Sequence, residues 1–297
     1  MKILISGSHG LVGQALSRSL AFDGHTVLRL VRSASTNENE IQWRPESGVV
    51  DSAALEALDC VVHLAGESIA SGRWTDEKKQ RIFDSRVKAT FALSKTLAEL
   101  SEPPKSFLCA SAIGYYGDRK EEVLTESSAP GNDFLATVCV QWEKATGPAV
   151  EKGIRTVCTR FGIILDKKGG ALAKMLTPFR MGIGGRVGDG KQWMSWIALD
   201  DVVSALRFVL NKAELIGPVN FVAPNPVTNE AFTRALGRTL GKPSFIPIPE
   251  FAVRLAFGEM ADALLLSSQR VEPTKLNDAH FEFRLTTIDE ALRRILV

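Results

Sequence analysis

Near-continuous apolar runs alternate along this chain with stretches whose apolar positions recur every three to four residues. The runs at 2–6, 26–32, 60–65, 105–111 and 155–164 read as strands, and helical patterns fall near 11–22, 75–100 and 133–152. Strands apolar at every position are covered on both faces, and their alternation with helices predicts an α/β fold built on a doubly wound parallel sheet. Ile41 to Trp43 adds a candidate short strand. From Gly169 the pattern changes to a helix ending near Met181, a glycine-rich loop over 182–190, a helix near 199–212 and the strand P-V-N-F-V-A. That change predicts a smaller C-terminal lobe. The expected division is a main domain over 1–220, its later part contributing to the lobe, and a C-terminal lobe over 221–297 with an extension at about 249–296. The last amphipathic pattern, Phe251 to Leu266, is interrupted by Arg254, Glu259 and Asp262, so it reads as a packed or oligomer-forming helix rather than a membrane anchor.

The first strand runs straight into Gly7-Ser8-His9-Gly10-Leu11-Val12-Gly13, and a helix follows. A dinucleotide pyrophosphate needs that order. Gly7 permits the tight turn, Gly10 lets backbone N–H groups approach phosphate, and Gly13 lets the helix pack closely. Strand before and helix after make the triplet a Rossmann-type signature rather than an ordinary turn. At the end of the second strand an NAD site usually carries Asp or Glu for the ribose hydroxyls, but this chain has Val31, Arg32 and Ser33. A guanidinium suits a 2′-phosphate, so NADP is favoured over NAD. A solvated arginine at a strand end is the alternative.

With 297 residues, 45% hydrophobic, the chain is long enough for one large α/β domain with an appendage. A net charge of +2 with dispersed basic residues points to no nucleic-acid partner. Cys60, Cys109, Cys139 and Cys158 lack metal or redox spacing, and the four histidines form no i, i+4 pair, so no metal site is expected. No leader pattern and no apolar run of about 18 residues is present, which predicts a cytoplasmic protein without a membrane span. His63, inside an apolar strand, reads as a hydrogen-bonded histidine at a sheet end.

Later motifs line up with the glycine loop and together resemble the extended short-chain dehydrogenase/reductase superfamily, in its epimerase/dehydratase branch. His63-Leu64-Ala65-Gly66 is similar to the fourth-strand motif, where Leu64, Ala65 and Gly66 would lie against adenosine and ribose. Ser111 to Gly117 resembles the fifth-strand S-S-x-x-V-Y-G segment, and Arg160-Phe161-Gly162-Ile163 the sixth-strand segment flanking the nicotinamide, which places Ser111 and Ile163 at the cofactor. Trp196 to Val202 resembles the segment opening a helix of the substrate lobe. Gly66-Glu67, Arg73-Trp74, the stretch 178–185 and Ser268-Gln269-Arg270-Val271 resemble a narrower group, the YfcH-type epimerase family proteins with a short C-terminal extension. The resemblance, with the long helices near 75–100 and 133–152, implies a homodimer.

The family's catalytic pattern is broken. Its members carry Tyr and Lys four apart on the helix after the fifth strand, where Lys lowers the Tyr pKa and Tyr handles a proton. Here Leu135 and Cys139 fall at those positions, and the only tyrosines are Tyr115 and Tyr116. Tyr116 to Lys120 satisfies Y-x-x-x-K only as a string, since Gly117-Asp118 makes it a loop. Arg86 replaces a common helix asparagine and, with Arg81, is placed to reach cofactor phosphate or ribose. Two functions stay open. One is an NADP-dependent oxidoreductase or epimerase of an unknown small-molecule substrate, with Ser111, Tyr116, Cys139, Glu143 and Glu67 as acid/base candidates. The other is a non-catalytic NADP(H)-binding sensor or interaction module responding to an effector.

Overall fold

The structure, a computed structural model, describes residues 1–45, 48–49 and 52–297. Its strands are β1 (Lys2–Ser6), β2 (Thr26–Val31), β3 (Glu40–Arg44), β4 (Gly48–Val49), β5 (Cys60–His63), β6 (Ser106–Ala112) and β7 (Val123–Leu124), followed by β8 (Arg155–Phe161), β9 (Ile163–Asp166), β10 (Trp193–Met194), β11 (Trp196–Ala198), β12 (Gly217–Phe221), β13 (Val227–Thr228) and β14 (Arg270–Val271). The main sheet has the order β12-β8-β6-β5-β1-β2-β3-β4, parallel except at the β3–β4 edge. Chain order reverses at β1, between β2 and β5. In a doubly wound sheet that switch point leaves a crevice beyond the carboxyl ends of the two strands, here Ser6 and His63.

Both faces of the sheet are covered, which is why its strands read as continuous apolar runs. Ile3 and Ile5 pack with Leu16 and Leu20 of α1 (Leu11–Phe22), while Leu4 between them turns to the other face. That second face is covered by α3 (Val87–Glu99), preceded by α2 (Asp76–Asp84), and by α4 (Phe134–Lys144) and α5 (Gly147–Glu151), through Leu93, Leu97, Trp142 and Ala149. Each such buried leucine or isoleucine contributes about 1.5–3 kcal/mol. The smaller lobe has its own core, where Leu172 and Phe179 of α6 (Gly170–Arg180) meet Trp196, Phe232 and Leu236 of α8 (Asn229–Leu240), and Leu292 near the C-terminus. Between these lobe segments, α7 (Leu199–Leu210) and β12 return to the main sheet. No helix of the described residues is long and apolar enough to cross a membrane.

Four long sequence patterns are each broken by identifiable chemistry. The helix expected near 75–100 splits at Ser85–Arg86, where the Ser85 hydroxyl and Arg86 Nη1 both donate to the Ile82 carbonyl (3.1 and 3.2 Å) and the Arg86 N–H turns to Phe83 instead. The one near 133–152 splits before Pro148, which has no N–H to continue a helix. The strand over 155–164 divides at Gly162, whose N–H still bonds Phe221 of β12 while the next N–H bonds Ser195 beside β11. A Cβ at Gly162 would stand 2.6 Å from the Ser195 oxygen, so only glycine passes there. The final amphipathic stretch is interrupted at Gly258 (φ +60°), separating α9 (Glu250–Phe257) from a short turn of helix and a wider turn over Asp262–Leu266.

The ends of β1 and β5 are locked together by one hydroxyl. Ser6 Oγ accepts the N–H groups of Leu64 (3.1 Å) and Ala65 (3.3 Å), which leaves its own proton for His63 Nδ1 at 2.6 Å. His63 is fully buried, edge-on to Trp43, and burial pushes its imidazole down to about 4. The folded protein thus keeps His63 neutral at pH values where the unfolded chain, with an ordinary pKa near 6.5, takes up a proton. Its contribution to stability is complete above about pH 6.5 and is lost as pH falls toward 4, roughly 3 kcal/mol in all. Urea unfolding of the wild type and His63→Asn at pH 7 and 4.5 checks this. Acidification should cost the variant about 2 kcal/mol less.

Candidate functional site

The loop from β1 to α1 packs as tightly as its glycines allow, except at one point. A Cβ on Gly7 (φ +68°) would lie 2.7 Å from the Leu64 carbonyl carbon, and one on Gly13 would lie 2.3 Å from the Gly7 oxygen. Gly7 therefore lets the loop pass under the end of β5, and Gly13 seats the helix on its own loop. Gly10 differs. Only the Gly7 oxygen, at 3.2 Å, approaches its Cβ position, so the outer side is open. Gly10 also caps α1 without a side-chain bond, and the first turn holds no acidic residue. The amides of Leu11, Val12 and Gly13 consequently have no partner within the helix, and they carry the positive end of its dipole. Ser8 Oγ, buried beside them, has no hydrogen-bond partner among the described residues. His9 is exposed and lends only its carbonyl, to Gln14 Nε2 (2.7 Å). An open glycine, free amides and an unused hydroxyl are the donor set of an anion cradle.

Two walls flank this cradle. At the end of β2, Val31 is buried and Arg32 is exposed, with no hydrogen bond or ion pair among the described residues. Across the crevice, the loop Leu64-Ala65-Gly66 leads to Glu67. Arg86 is held at the α2–α3 break, its Nη1 donating to the Glu67 carbonyl (3.0 Å) and its guanidinium lying over Trp142 at 5.1 Å. A Cβ on Gly66 would come 3.4 Å from the Arg86 guanidinium carbon, so this arginine braces the loop. Burial lowers the Arg86 pKa, opposed by Cys139 and Glu67. The Glu67 carboxylate is bonded by the buried Lys78 (2.5 Å), which also bonds Ser71, and Lys78 holds it below the usual carboxylate range. Arg81 is exposed one turn before the break.

Beyond β6 and β8 lies a buried polar chain. Ser111 Oγ donates to Glu143 Oε1 (2.7 Å), and the Glu143 carboxylate is gripped by Arg160 through Nε (2.7 Å) and Nη2 (2.8 Å). Arg160 is 2% exposed, lies 3.5 Å from the centre of the Tyr115 ring, and donates through Nη1 to the Tyr116 hydroxyl (3.0 Å). Tyr116 in turn donates to Asn220 Oδ1 (2.6 Å), and the Asn220 N–H donates to the buried Glu126 (3.0 Å). Burial pushes the Tyr116 hydroxyl up to about 12. Lys120 stands apart, exposed and paired with Asp118 (2.6 Å), so the Y-x-x-x-K string forms no dyad. Leu135 and Cys139 occupy the α4 face opposite Gly114, where a Cβ would lie 3.5 and 3.9 Å from them. Burial pushes the Cys139 thiol up to about 12, which keeps it neutral.

The structure thus brings Ser111, Glu143 and Tyr116 into one network and leaves Glu67 and Cys139 outside it. Ile163 follows the Gly162 switch, half-buried, two residues past the end of the strand that carries Arg160. The sequence names Arg160 only within its sixth-strand motif and not as half of an ion pair, although an arginine inside a strand buried on both faces must have a partner. For Lys78, Glu126 and Asn220 nothing in the local pattern announced a role. A cavity of about 550 Å³ opens between Trp74, Phe134, the loop at Asp118 and the extension at Glu250 and Asp262, with seven carboxylates on its lining against three cations. The extension reaches the main domain here, where Arg73 donates to the Leu255 carbonyl (2.5 Å) and Lys79 pairs with Glu259.

A doubly wound sheet, a glycine loop opening a helix at its switch point and a lobe above the carboxyl ends of the strands define an extended short-chain dehydrogenase/reductase fold. The chain belongs to the NAD dependent epimerase/dehydratase family, whose model matches residues 3–222, and a domain of unknown function, DUF1731, matches 248–295. It is 46% identical over 290 residues to the epimerase family protein Mb2239 of Mycobacterium bovis, covering 98% of this chain and 96% of that one. The crystal structure of human epimerase family protein SDR39U1 with NADPH superposes with a TM-score of 0.91 at 31% identity, over 99% of each chain. Thermus thermophilus UDP-glucose 4-epimerase in complex with NAD, at 18% identity and a TM-score of 0.75 over 99% of this chain and 97% of that one, shares the fold.

Two substitutions separate packing from open space in the glycine loop. Gly7→Ala places a Cβ against β5 at a positive φ and should lower stability by more than about 2 kcal/mol, whereas Gly10→Ala should stay within about 1 kcal/mol. Thermal melts of both variants check the contrast. Glu143→Ala strands the Arg160 guanidinium in the interior and should destabilise by about 3–5 kcal/mol, measured by urea unfolding.

Proposed function

We propose that this protein binds NADP(H) across the crevice between β1 and β5 and acts on a small molecule as an oxidoreductase or epimerase without a Tyr–Lys pair. The observation that carries the reading is the cradle at Gly10, with its free α1 amides and the unpaired Ser8 hydroxyl, facing an unpaired Arg32 at the end of β2. The amides and Ser8 suit a pyrophosphate, Leu64 to Gly66 the adenosine side, and Arg32 a ribose 2′-phosphate. The human relative with NADPH supports the same choice. A bound nicotinamide supplies or accepts hydride. The chain's own part is to hold a proton, and the groups placed for that are Ser111 and, through its hydroxyl, Glu143, with Arg160 fixing the carboxylate's orientation.

A second reading, a nucleotide-binding sensor or interaction module without chemistry, draws on a different observation. Leu135 cannot exchange a proton, and burial holds both Cys139 and Tyr116 near 12, so no group at or beside the usual positions is a base at neutral pH. Hydride exchange separates the readings. Transfer from NADPH to an acceptor that falls at least tenfold in Ser111→Ala and in Glu143→Gln, with nucleotide affinity kept, supports the first. Tight binding with no transfer supports the second.

NADPH should bind at least tenfold more tightly than NADH, since one charge-assisted bidentate contact is worth about 1.5–3 kcal/mol. Calorimetry with both nucleotides tests this, and Arg32→Ala should erase the preference. Gly10→Val should remove nucleotide affinity while the melt is little changed. Sugar-nucleotide epimerase substrates should not turn over, because that chemistry uses the missing tyrosine as base. Tyr116→Phe should weaken the fold by about 1–3 kcal/mol through the lost bonds to Asn220 and Arg160, without a hundredfold effect on any transfer observed.

A further inference from the structure

Between β5 and α2 the chain runs from Leu64 to Thr75 without helix or strand, and none of the side chains on the way is fully buried. Unstructured loops of that length are uncommon inside a compact domain, and lids are among their functions. Both ends of this one are fastened to the main domain, by Arg86 at the Glu67 carbonyl (3.0 Å) and by the Trp74 ring edge-on to Phe134. The middle is fastened to the small lobe instead. Lys174 of α6 donates to the Ala70 carbonyl (2.6 Å), and Arg73 donates to the Leu255 carbonyl (2.5 Å). Lys174 and Arg73 are exposed, so water competes for each bond and opening costs little. Bonds from Trp74 to Ile69 (2.8 Å) and from Lys78 to Ser71 (2.9 Å) keep the middle together as one body.

The Lys174 bond closes a ring. α6 starts against the glycine loop, where a Cβ on Gly169 would lie 3.3 Å from the Leu11 side chain, and Lys174 stands one turn further along. From Ala70 the chain leads back to Leu64, whose carbonyl carbon would lie 2.7 Å from a Cβ on Gly7. The base of the ring is therefore the stretch from Gly7 to Leu11, which holds the open side of Gly10 and leads into the free α1 amides. A diphosphate seated on those amides carries a nucleoside on each side, one toward Arg32 and one toward Ser111. A dinucleotide bound in this way passes through the ring, so it enters and leaves only when the ring opens.

We propose that residues 68–73 are a strap over the nucleotide crevice, clasped by Lys174, and that release of the clasp sets how fast a dinucleotide exchanges. This inference rests on the nucleotide reading above. In stopped-flow fluorescence of NADPH with the full chain, Lys174→Met with Arg73→Met should raise the association and dissociation rates together by about tenfold, and Kd should change by less than about threefold. An unchanged melt shows that the fold survives. A bridged strap tests the ring itself. All four native cysteines are buried, so dibromobimane should bridge only the new thiols of a chain with Ala70→Cys and Lys174→Cys. Bridged before NADPH is added, that chain should take up none, and bridged afterwards it should keep its NADPH through gel filtration. Amide hydrogen exchange over 68–73, followed without nucleotide, should speed up by about tenfold in the Lys174 and Arg73 variant. Rates unmoved by the two substitutions, or a bridged chain that still exchanges NADPH, overturn the proposal. A wild type that binds no NADPH overturns the nucleotide reading, and the clasp is then decided by hydrogen exchange, where equal protection in variant and wild type overturns it too.

Discussion

A guanidinium sealed in the interior sets the terms for everything around it. Arg160 leaves water at the carboxyl end of β8, and its charge is tolerable only because Glu143 meets it with two hydrogen bonds while the Tyr115 ring covers its face. Those bonds fix α4 against the sheet, and Ser111 ties the end of β6 to the same carboxylate. Through Tyr116 and Asn220 the order extends to β12. On the α4 helix that carries Leu135 and Cys139, Glu143 forms with Arg160 a charge pair whose first demand is structural. Any proton chemistry at Ser111 must work within that constraint, since Glu143 cannot move without uncovering Arg160.

The nucleotide crevice rests on the opposite strategy, the removal of side chains. Gly7 and Gly13 are filled by backbone on all sides, whereas Gly10 faces open space. Ser6 and His63 hold the two strand ends in register below it with one shared hydroxyl. Rigid walls with unspent donors are what a preorganised anion site requires, because little has to be reordered when the ligand arrives.

The sheet, its order of strands and helices and the glycine loop were legible in the sequence because each follows from local period or local backbone need. That Tyr116 and Lys120 form no dyad was legible too, because Gly117-Asp118 makes the string a loop. What stayed hidden depends on partners distant in the chain. The break at Ser85–Arg86 arises because Arg86 reaches back to Ile82 and across to Glu67, and nothing in a continuous helical period shows that. Gly162 changes sheets because Ser195 and Val222 crowd it, and neither is a sequence neighbour. Arg160 and Glu143 are 17 residues apart, on different elements. Periodicity sees faces and not the pairs that form between them.

Two buried carboxylates of the main domain take their donors from the end of the chain. Asp201 accepts the N–H groups of Arg284 and Leu285 (both 3.0 Å), and Glu126 accepts that of Lys275 (3.2 Å). β14 likewise supplies the strand beside β7. In a chain made from the N-terminus, Asp201 precedes both of these donors, and Glu126 has only the Asn220 N–H until Lys275 follows. The C-terminal extension thus supplies donors that the interior of the preceding domain needs, and a chain without it leaves Asp201 without these two amides.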